Sequence, residues 1–171
     1  MNIRQAEEAD IHAITEIYND AILNTTAVYD YHPYSAENRL EWLRTKKKNG
    51  LPIFVYEQNG KVQGYAAYGP FRPWAAFKYS IEHSVYVHPR ARGAGVGRTL
   101  LRTLIDHAEQ EGFATMIAGI DSSNPGSIYL HETEDFEYVG TVKKAGYKFE
   151  RWLDLVFYQR ALSGPETPVE Q

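Results

Sequence analysis

"VYVHPRARGAGVGRTLLRTLIDHAEQEG", Val85 to Gly112, decides how the rest of the chain is read. It opens on apolar, strand-forming residues. It then passes a loop that sets Arg90, Arg92 and Arg98 around Gly93, Gly95 and Gly97. Leu100, Leu101, Leu104, Ile105 and Ala108 follow at helical spacing, and Gly112 ends the pattern. Glycines where a strand turns into a helix let a ligand approach the backbone closely. The first helical turn offers unpaired N–H groups and a positive dipole end, which suit phosphate. Arginine adds bidentate phosphate contacts. The structural alternative is a plain glycine turn with solvated arginines.

Outward from this stretch the chain alternates strands and helices. Ile3–Gln5 is a short strand, and Glu8 to Leu23 a helix with Ile11, Ile14, Tyr18 and Ile22 on one face. "TAVYDY" is expected as a strand. Ser35 caps a second helix that Gly50 ends. "PIFVYEQNGKVQGYAAY" is a hairpin turning at Asn59-Gly60. "FRPWAAFKY" is a loop and "SIEHSVYV" the strand that enters the glycine loop. "ATMIAGI" is a buried strand, and "SSNPGSIYLHE" a loop entering a short helix. The remainder to Leu162 forms two strands with a turn near Gly146. The expected fold is α/β of the α+β kind, with a mixed, mostly antiparallel sheet flanked by helices. Residues 1–162 are read as one domain, and 163–171 as a disordered tail.

With 171 residues, a composition 43% hydrophobic and 23% charged, and a formal net charge of -4, the chain is globular and does not suit nucleic acid as a partner. It has no cysteine, which excludes disulfides, thiolate metal sites and a cysteine nucleophile. The acidic, periodic N-terminus is unlike a signal peptide, and no run reaches the length of a membrane span. A cytoplasmic protein without membrane association is expected.

The phosphate signal has three readings. A P-loop fails, because Arg98-Thr99 stands where Lys-Ser/Thr is needed and the glycine spacing is wrong. The dinucleotide fingerprint needs G-x-G-x-x-G, and here the spacing is G-x-G-x-G, although Asp121 ends the next strand where a ribose-binding acid would sit. The pattern R-x-x-G-x-G, formed by Arg92, Gly95 and Gly97, resembles the acyl-CoA pyrophosphate loop of the GCN5-related N-acetyltransferase (GNAT) superfamily. "IRQAEEADIHAITEIYNDAI", "EHSVYV", "YLHE" and the final aromatic strand resemble its phosphinothricin/methionine sulfoximine acetyltransferase subgroup, over nearly the whole chain to Leu162. One stretch departs: in "TEDF", Thr133–Phe136, Glu134 replaces an apolar residue and Asp135 a glycine.

The resemblance implies a GNAT fold with splayed strands and acetyl-CoA as co-substrate. It places the pyrophosphate on Arg92, Gly93, Ala94, Gly95, Val96, Gly97 and Arg98. The pantetheine would lie along Val85, Tyr86 and Val87, with a further contact from Asn124. Without cysteine, direct transfer in a ternary complex is the simpler route, and it needs a Glu, Asp or His base. Glu82 falls where the subgroup keeps its base, and His131 where it keeps a second acid–base group. From strand statistics alone Glu82 would face solvent, and a lone helical histidine is more often structural. Tyr129 and Tyr138 are further proton donors to consider. His131-Glu132 lacks the second histidine of a zinc motif, so no metal is expected.

"GPFRPWAAFKYS" precedes the Glu82 strand and mixes Arg72 and Lys78 with aromatics. As an acceptor pocket, its cations would hold an anionic group, and Trp74 would help wall a thin aliphatic chain. Otherwise it is an exposed loop. The resemblance matches Arg72 to a substrate-binding arginine. It implies a small amino-acid acceptor (phosphinothricin, methionine sulfoximine or methionine sulfone) that acetylation detoxifies, with resistance to the herbicide phosphinothricin as a corollary. It also implies a homodimer, and exposed-type aromatics such as Trp42, Trp74 and Trp152 are compatible with such a buried contact. The alternatives are a non-catalytic acyl-CoA-binding or sensing module, and acetylation of peptide or other amine acceptors.

Overall fold

The computed structural model describes residues 2–170. Met1 and Gln171, the last residue of the expected tail, lie outside the described residues. The elements are β1 (Asn2–Gln5), α1 (Ile11–Asn24), α2 (Ala36–Lys48), β2 (Ile53–Gln58), β3 (Lys61–Pro70), β4 (Ser80–Val87), α3 (Val96–Gln110), β5 (Thr115–Asp121), α4 (Pro125–Glu132), β6 (Glu137–Lys148) and β7 (Arg151–Ala161). The seven strands follow the order β1-β2-β3-β4-β5-β7-β6. Pairing is antiparallel for β1–β2, β2–β3, β5–β7 and β6–β7, and parallel for β4–β5.

Two compact units divide the chain, and β4 contributes to both. The first takes the residues through Tyr68 together with Ser84–Leu104. Its core packs Ile11, Ile14 and Ile17 of α1 and Leu43 of α2 on Ile53, Val55 and Tyr65 of the sheet. Leu100, Leu101 and Leu104 of α3 are fully buried, at roughly 2 kcal/mol of apolar transfer each. Local chemistry fixes the ends. Ser35 accepts from Asn38 N at 3.2 Å to cap α2. Asn59 and Gly60 both have positive φ, 52° and 70°, as the two-residue hairpin turn between β2 and β3 requires.

The second unit takes Gly69–His83 and the chain from Ile105 onward. Its buried apolar side chains include Ile81, Met116, Ile120, Phe136, Leu153 and Tyr158. The β4–β5 ladder covers only Ser80–Glu82 against Thr115–Ile117, whereas β5 pairs with β7 along its whole length.

Four expectations change. "TAVYDY" is not a strand. The Asn19 side chain bonds both backbone groups of Tyr34, at 2.9 Å each, and so does for the end of this connection what a neighbouring strand would do. The β6–β7 turn is not at Gly146, which pairs with Leu153 inside the ladder. It lies at Phe149-Glu150, both at positive φ, 51° and 59°. Trp42 is half-buried against the first core rather than exposed. Finally, the expected disordered tail is held. Ser163 N reaches Glu109 at 2.9 Å, Gly164 N reaches Phe113 O at 3.0 Å, and Val169 N reaches the Tyr79 hydroxyl at 3.1 Å.

Candidate active site

In the first unit, β4 runs through Val85, Tyr86 and Val87 into a 3-10 turn at Pro89–Ala91 and then the glycine loop. Gly93 and Gly95 take φ of +78° and +81°, which L side chains rarely adopt. A Cβ on either would meet nothing within 4 Å. Gly97 lies in the first turn of α3, which Thr99 helps to close by bonding Gly95 O through both its N–H and its hydroxyl, at 3.0 Å each. Backbone N–H groups at such a loop and helix start form an anion cradle. Arg92 is fixed beside it. Its Nε donates to Val87 O at 3.2 Å and its Nη2 to Asp20 at 2.6 Å. Gly64 of β3 permits the close packing. A Cβ there would sit 2.9 Å from Tyr86 O and 3.1 Å from both Val96 and Leu100.

In the second unit, Glu82 is half-buried on β4. Its carboxylate lies over Gly119 of β5, where a Cβ would come within 3.3 Å of Glu82 Oε1. Burial raises the Glu82 pKa above the usual carboxylate range, and the Arg72 guanidinium partly offsets this. Among the described residues its carboxylate makes no hydrogen bond, so its lone pairs are available to a ligand. A carboxylate poised this way can take a proton from an ammonium near neutral pH.

Residues 11–136 match the profile of the acetyltransferase (GNAT) family. The chain belongs to the GNAT family. A methionine sulfoximine/methionine sulfone acetyltransferase of Salmonella typhimurium is 46% identical over 168 residues, 98% of each chain. A phosphinothricin N-acetyltransferase of Alcaligenes faecalis is 38% identical over 171 residues, covering 99% of this chain and 86% of that protein. A solved structure of a Salmonella typhimurium acetyltransferase with its cofactor acetyl-CoA superposes with a TM-score of 0.95 at 46% identity, covering 99% of this chain and 98% of that one. The chain is a GNAT-fold N-acetyltransferase.

The GNAT assignment lets the other expected site residues be located. Arg72 is exposed, stacks on Phe71 at 4.0 Å and donates to the Phe71 carbonyl at 2.7 Å. Lys78 is exposed beside Tyr79. Trp74 is 67% exposed and tilts against Phe77, so the aromatics of this segment cluster with one another. Asn124 caps α4, accepting from Ser127 N at 3.1 Å. Tyr129 is exposed, and the Tyr138 hydroxyl bonds Thr141. Among the described residues no cluster of His, Asp and Glu could hold a metal ion.

His131 makes no hydrogen bond to Glu82 and pairs instead with His83. Its Nε2 is 2.9 Å from His83 Nε2, and both rings are buried against Phe136. Glu82 and His83 are consecutive on β4 and so project from opposite faces of the sheet. The pair has a proton shortage. His131 Nδ1 faces Ser127 O at 2.7 Å and His83 Nδ1 faces Ile117 O at 3.1 Å, and both oxygens only accept. Three contacts therefore need three ring hydrogens, and two neutral imidazoles carry two. Burial, together with the neighbouring His131, pushes His83 down to about 3, and burial lowers His131 too. The neutral pair prevails, because a buried charge costs more than one unfilled contact.

Sequence reasoning missed Asp20, Gly64, His83 and Gly119. The two glycines carried a readable sign, since a glycine inside a strand marks close approach. Asp20 carried none, because its partner lies 72 residues away.

Proposed function

We propose that the chain acetylates the α-amino group of a small amino-acid analogue, methionine sulfone, methionine sulfoximine or phosphinothricin, using acetyl-CoA. The observation that carries this is Glu82: a half-buried, unbonded carboxylate with a raised pKa, set over a glycine and within reach of the Arg72 field. The relatives named for these acceptors align over almost the whole chain. The residues fit the co-substrate. The loop Gly93–Gly97 offers open backbone to a pyrophosphate, with Arg92 and Arg98 beside it, and Val85–Val87 offer strand backbone to a pantetheine.

Acetyl-CoA supplies the acetyl group as a thioester. Glu82 accepts the proton that the ammonium must lose before its nitrogen attacks, directly or through one water. Arg72 and Lys78 hold the acceptor's anionic group, and Arg72 also sets how far the Glu82 pKa rises. His131 and His83 act behind the site by fixing α4 to β4. A tyrosine or water returns the proton to the departing thiolate.

The enzyme works as a homodimer in the cytoplasm, where acetyl-CoA is made, and serves detoxification. β6 ends the strand order and so is a sheet edge, and Tyr138, Val139, Tyr147, Phe149 and Trp152 of β6–β7 are exposed there. A second copy would cover such a surface. An acceptor screen tests the function: acetyl-CoA, a thiol reagent, the three analogues, the common amino acids and an alanine-initiated peptide. CoA release with the analogues is expected. Release with the peptide alone would favour a protein acceptor, as the exposed 72–78 segment allows, and none with any amine would favour a binding module.

A further inference from the structure

Asp20 and Glu16 lie one turn apart on α1, so they share a face. His88 and Arg92 are also four residues apart, on either side of the 3-10 turn that leads into the glycine loop. The two pairs meet. Glu16 Oε1 is 3.2 Å from His88 Nε2, and Asp20 Oδ2 is 2.6 Å from Arg92 Nη2. Arg92 Nε is engaged as well, by Val87 O. The motif arginine therefore meets its cofactor with its charge already balanced and two of its donor groups already used.

We propose that Asp20 is a positioning residue for acetyl-CoA, holding Arg92, and through it the Gly93–Gly97 loop, in the shape that receives the pyrophosphate. This rests on the functional reading above. A segment with three glycines in five residues is costly to order. If the ligand alone had to order it, that cost would be subtracted from affinity. The clamp orders the loop beforehand, from the neighbouring helix. Arg92 then contributes more by shape than by net charge, and the anion is held by backbone N–H groups with Gly93 and Gly95 at positive φ. Glu16 acts the same way through His88 from a more exposed position, its side chain being 67% exposed against 20% for Asp20.

The test uses the full-length protein. Acetyl-CoA affinity is measured by calorimetry, with steady-state KM for both substrates, in wild type, Asp20→Ala, Asp20→Asn, Asp20→Glu, Arg92→Ala and the Asp20→Ala/Arg92→Ala double variant. Asp20→Ala should weaken acetyl-CoA by about 5–30-fold, less than the loss of a fully buried charge-assisted bond because the Arg92 side chain is 46% exposed. Saturating kcat and the acceptor KM should stay within about twofold, and Tm should hardly move, because a surface ion pair adds little to stability. Asp20→Asn, which keeps the shape, should fall between, and Asp20→Glu should recover part of the loss. In the Arg92→Ala background, removing Asp20 should change affinity by less than about twofold, since the pair acts as a unit. Unchanged acetyl-CoA affinity in Asp20→Ala overturns the proposal. So does tighter binding, which would make Asp20 a rival of the pyrophosphate for Arg92. So does an equal loss in kcat and both KM values. If wild type itself fails to bind acetyl-CoA, the functional reading falls, and this inference falls with it.

Discussion

The glycine loop and the Phe71–Tyr79 segment both border β4, one after it and one before it, and they are built in opposite ways. The loop is held by its own chain through Asp20, Val87 and the close fit at Gly64. The segment is exposed from Arg72 to Lys78, and its aromatics rest on one another. On the proposed function, a cofactor common to every turnover meets a finished surface, and the acceptor one that other contacts can still shape. Preorganisation is worth most where the ligand never changes.

Glu82, the proposed base, should give the largest effect. Glu82→Gln keeps shape and loses proton affinity, so kcat should fall by about 10²–10⁴ with acetyl-CoA binding retained. Normal turnover of this variant from pH 6 to 9 would show that another group is the base. Gly95→Val tests the finished surface. Its φ of +81° is strained for valine, and the side chain would project into the open space proposed for the pyrophosphate. Acetyl-CoA affinity should drop by about 100-fold with the acceptor KM unchanged, roughly 3 kcal/mol.

Arg72→Ala tests the open surface and should show the reverse split. The acceptor KM should rise by about 10-fold or more, acetyl-CoA binding should stay, and Arg72→Lys should restore only part. It should also move the pH profile. Arg72 lowers the Glu82 pKa against the rise caused by burial, so its loss should shift the acid limb of kcat/KM to higher pH. An acceptor KM equal to wild type would return Arg72 to a solvated loop residue.

The histidine pair predicts a pH-dependent stability. Folded His83 and His131 stay neutral, whereas in the unfolded chain they take protons near pH 6.5. Folded pKa values below the unfolded ones mean full stability above about pH 7, lost as pH falls below 6.5. The slope is at most about 1.4 kcal/mol per pH unit for each histidine. His83→Phe should flatten the fall in Tm between pH 7 and 5, and an unchanged slope would mean that the pair is already protonated. The smallest effect should come at Asp135. Its φ is +61°, and its contact with Arg160 at 3.1 Å is 88% exposed on the aspartate side. Asp135→Gly should stabilise by about 1 kcal/mol. Denaturant unfolding would measure it, and a loss of stability would show that the Arg160 contact outweighs the strain.

What the sequence disclosed and what it hid divide along physical lines. The glycine loop, the α3 stripe and the Asn59-Gly60 hairpin were legible because each is decided within a few residues. Glu82 was legible as a candidate only through family resemblance, since its alternation pattern also suits a solvent-facing strand position. The β6–β7 turn was misread because Gly146 drew attention, while Phe149 and Glu150 adopt positive φ that only tertiary pairing enforces. The companion of His131 was hidden by a separation of 48 residues, and that of Arg92 by 72. Pairings between distant side chains leave no period in a single sequence.

The division of β4 has a consequence for how the chain is made. Everything that shapes the glycine loop, from Asp20 to Leu104, has been synthesised before β5 exists. The second unit has to wait for β7 and for the residues that bond Tyr79 from the far end of the chain. At ribosomal speeds of about 5–20 residues per second, that wait lasts roughly 3–13 s. For those seconds the nascent chain carries the glycine loop without β5, the strand that later pairs at Glu82, so the part of the sheet that shapes the carboxylate is the last to form.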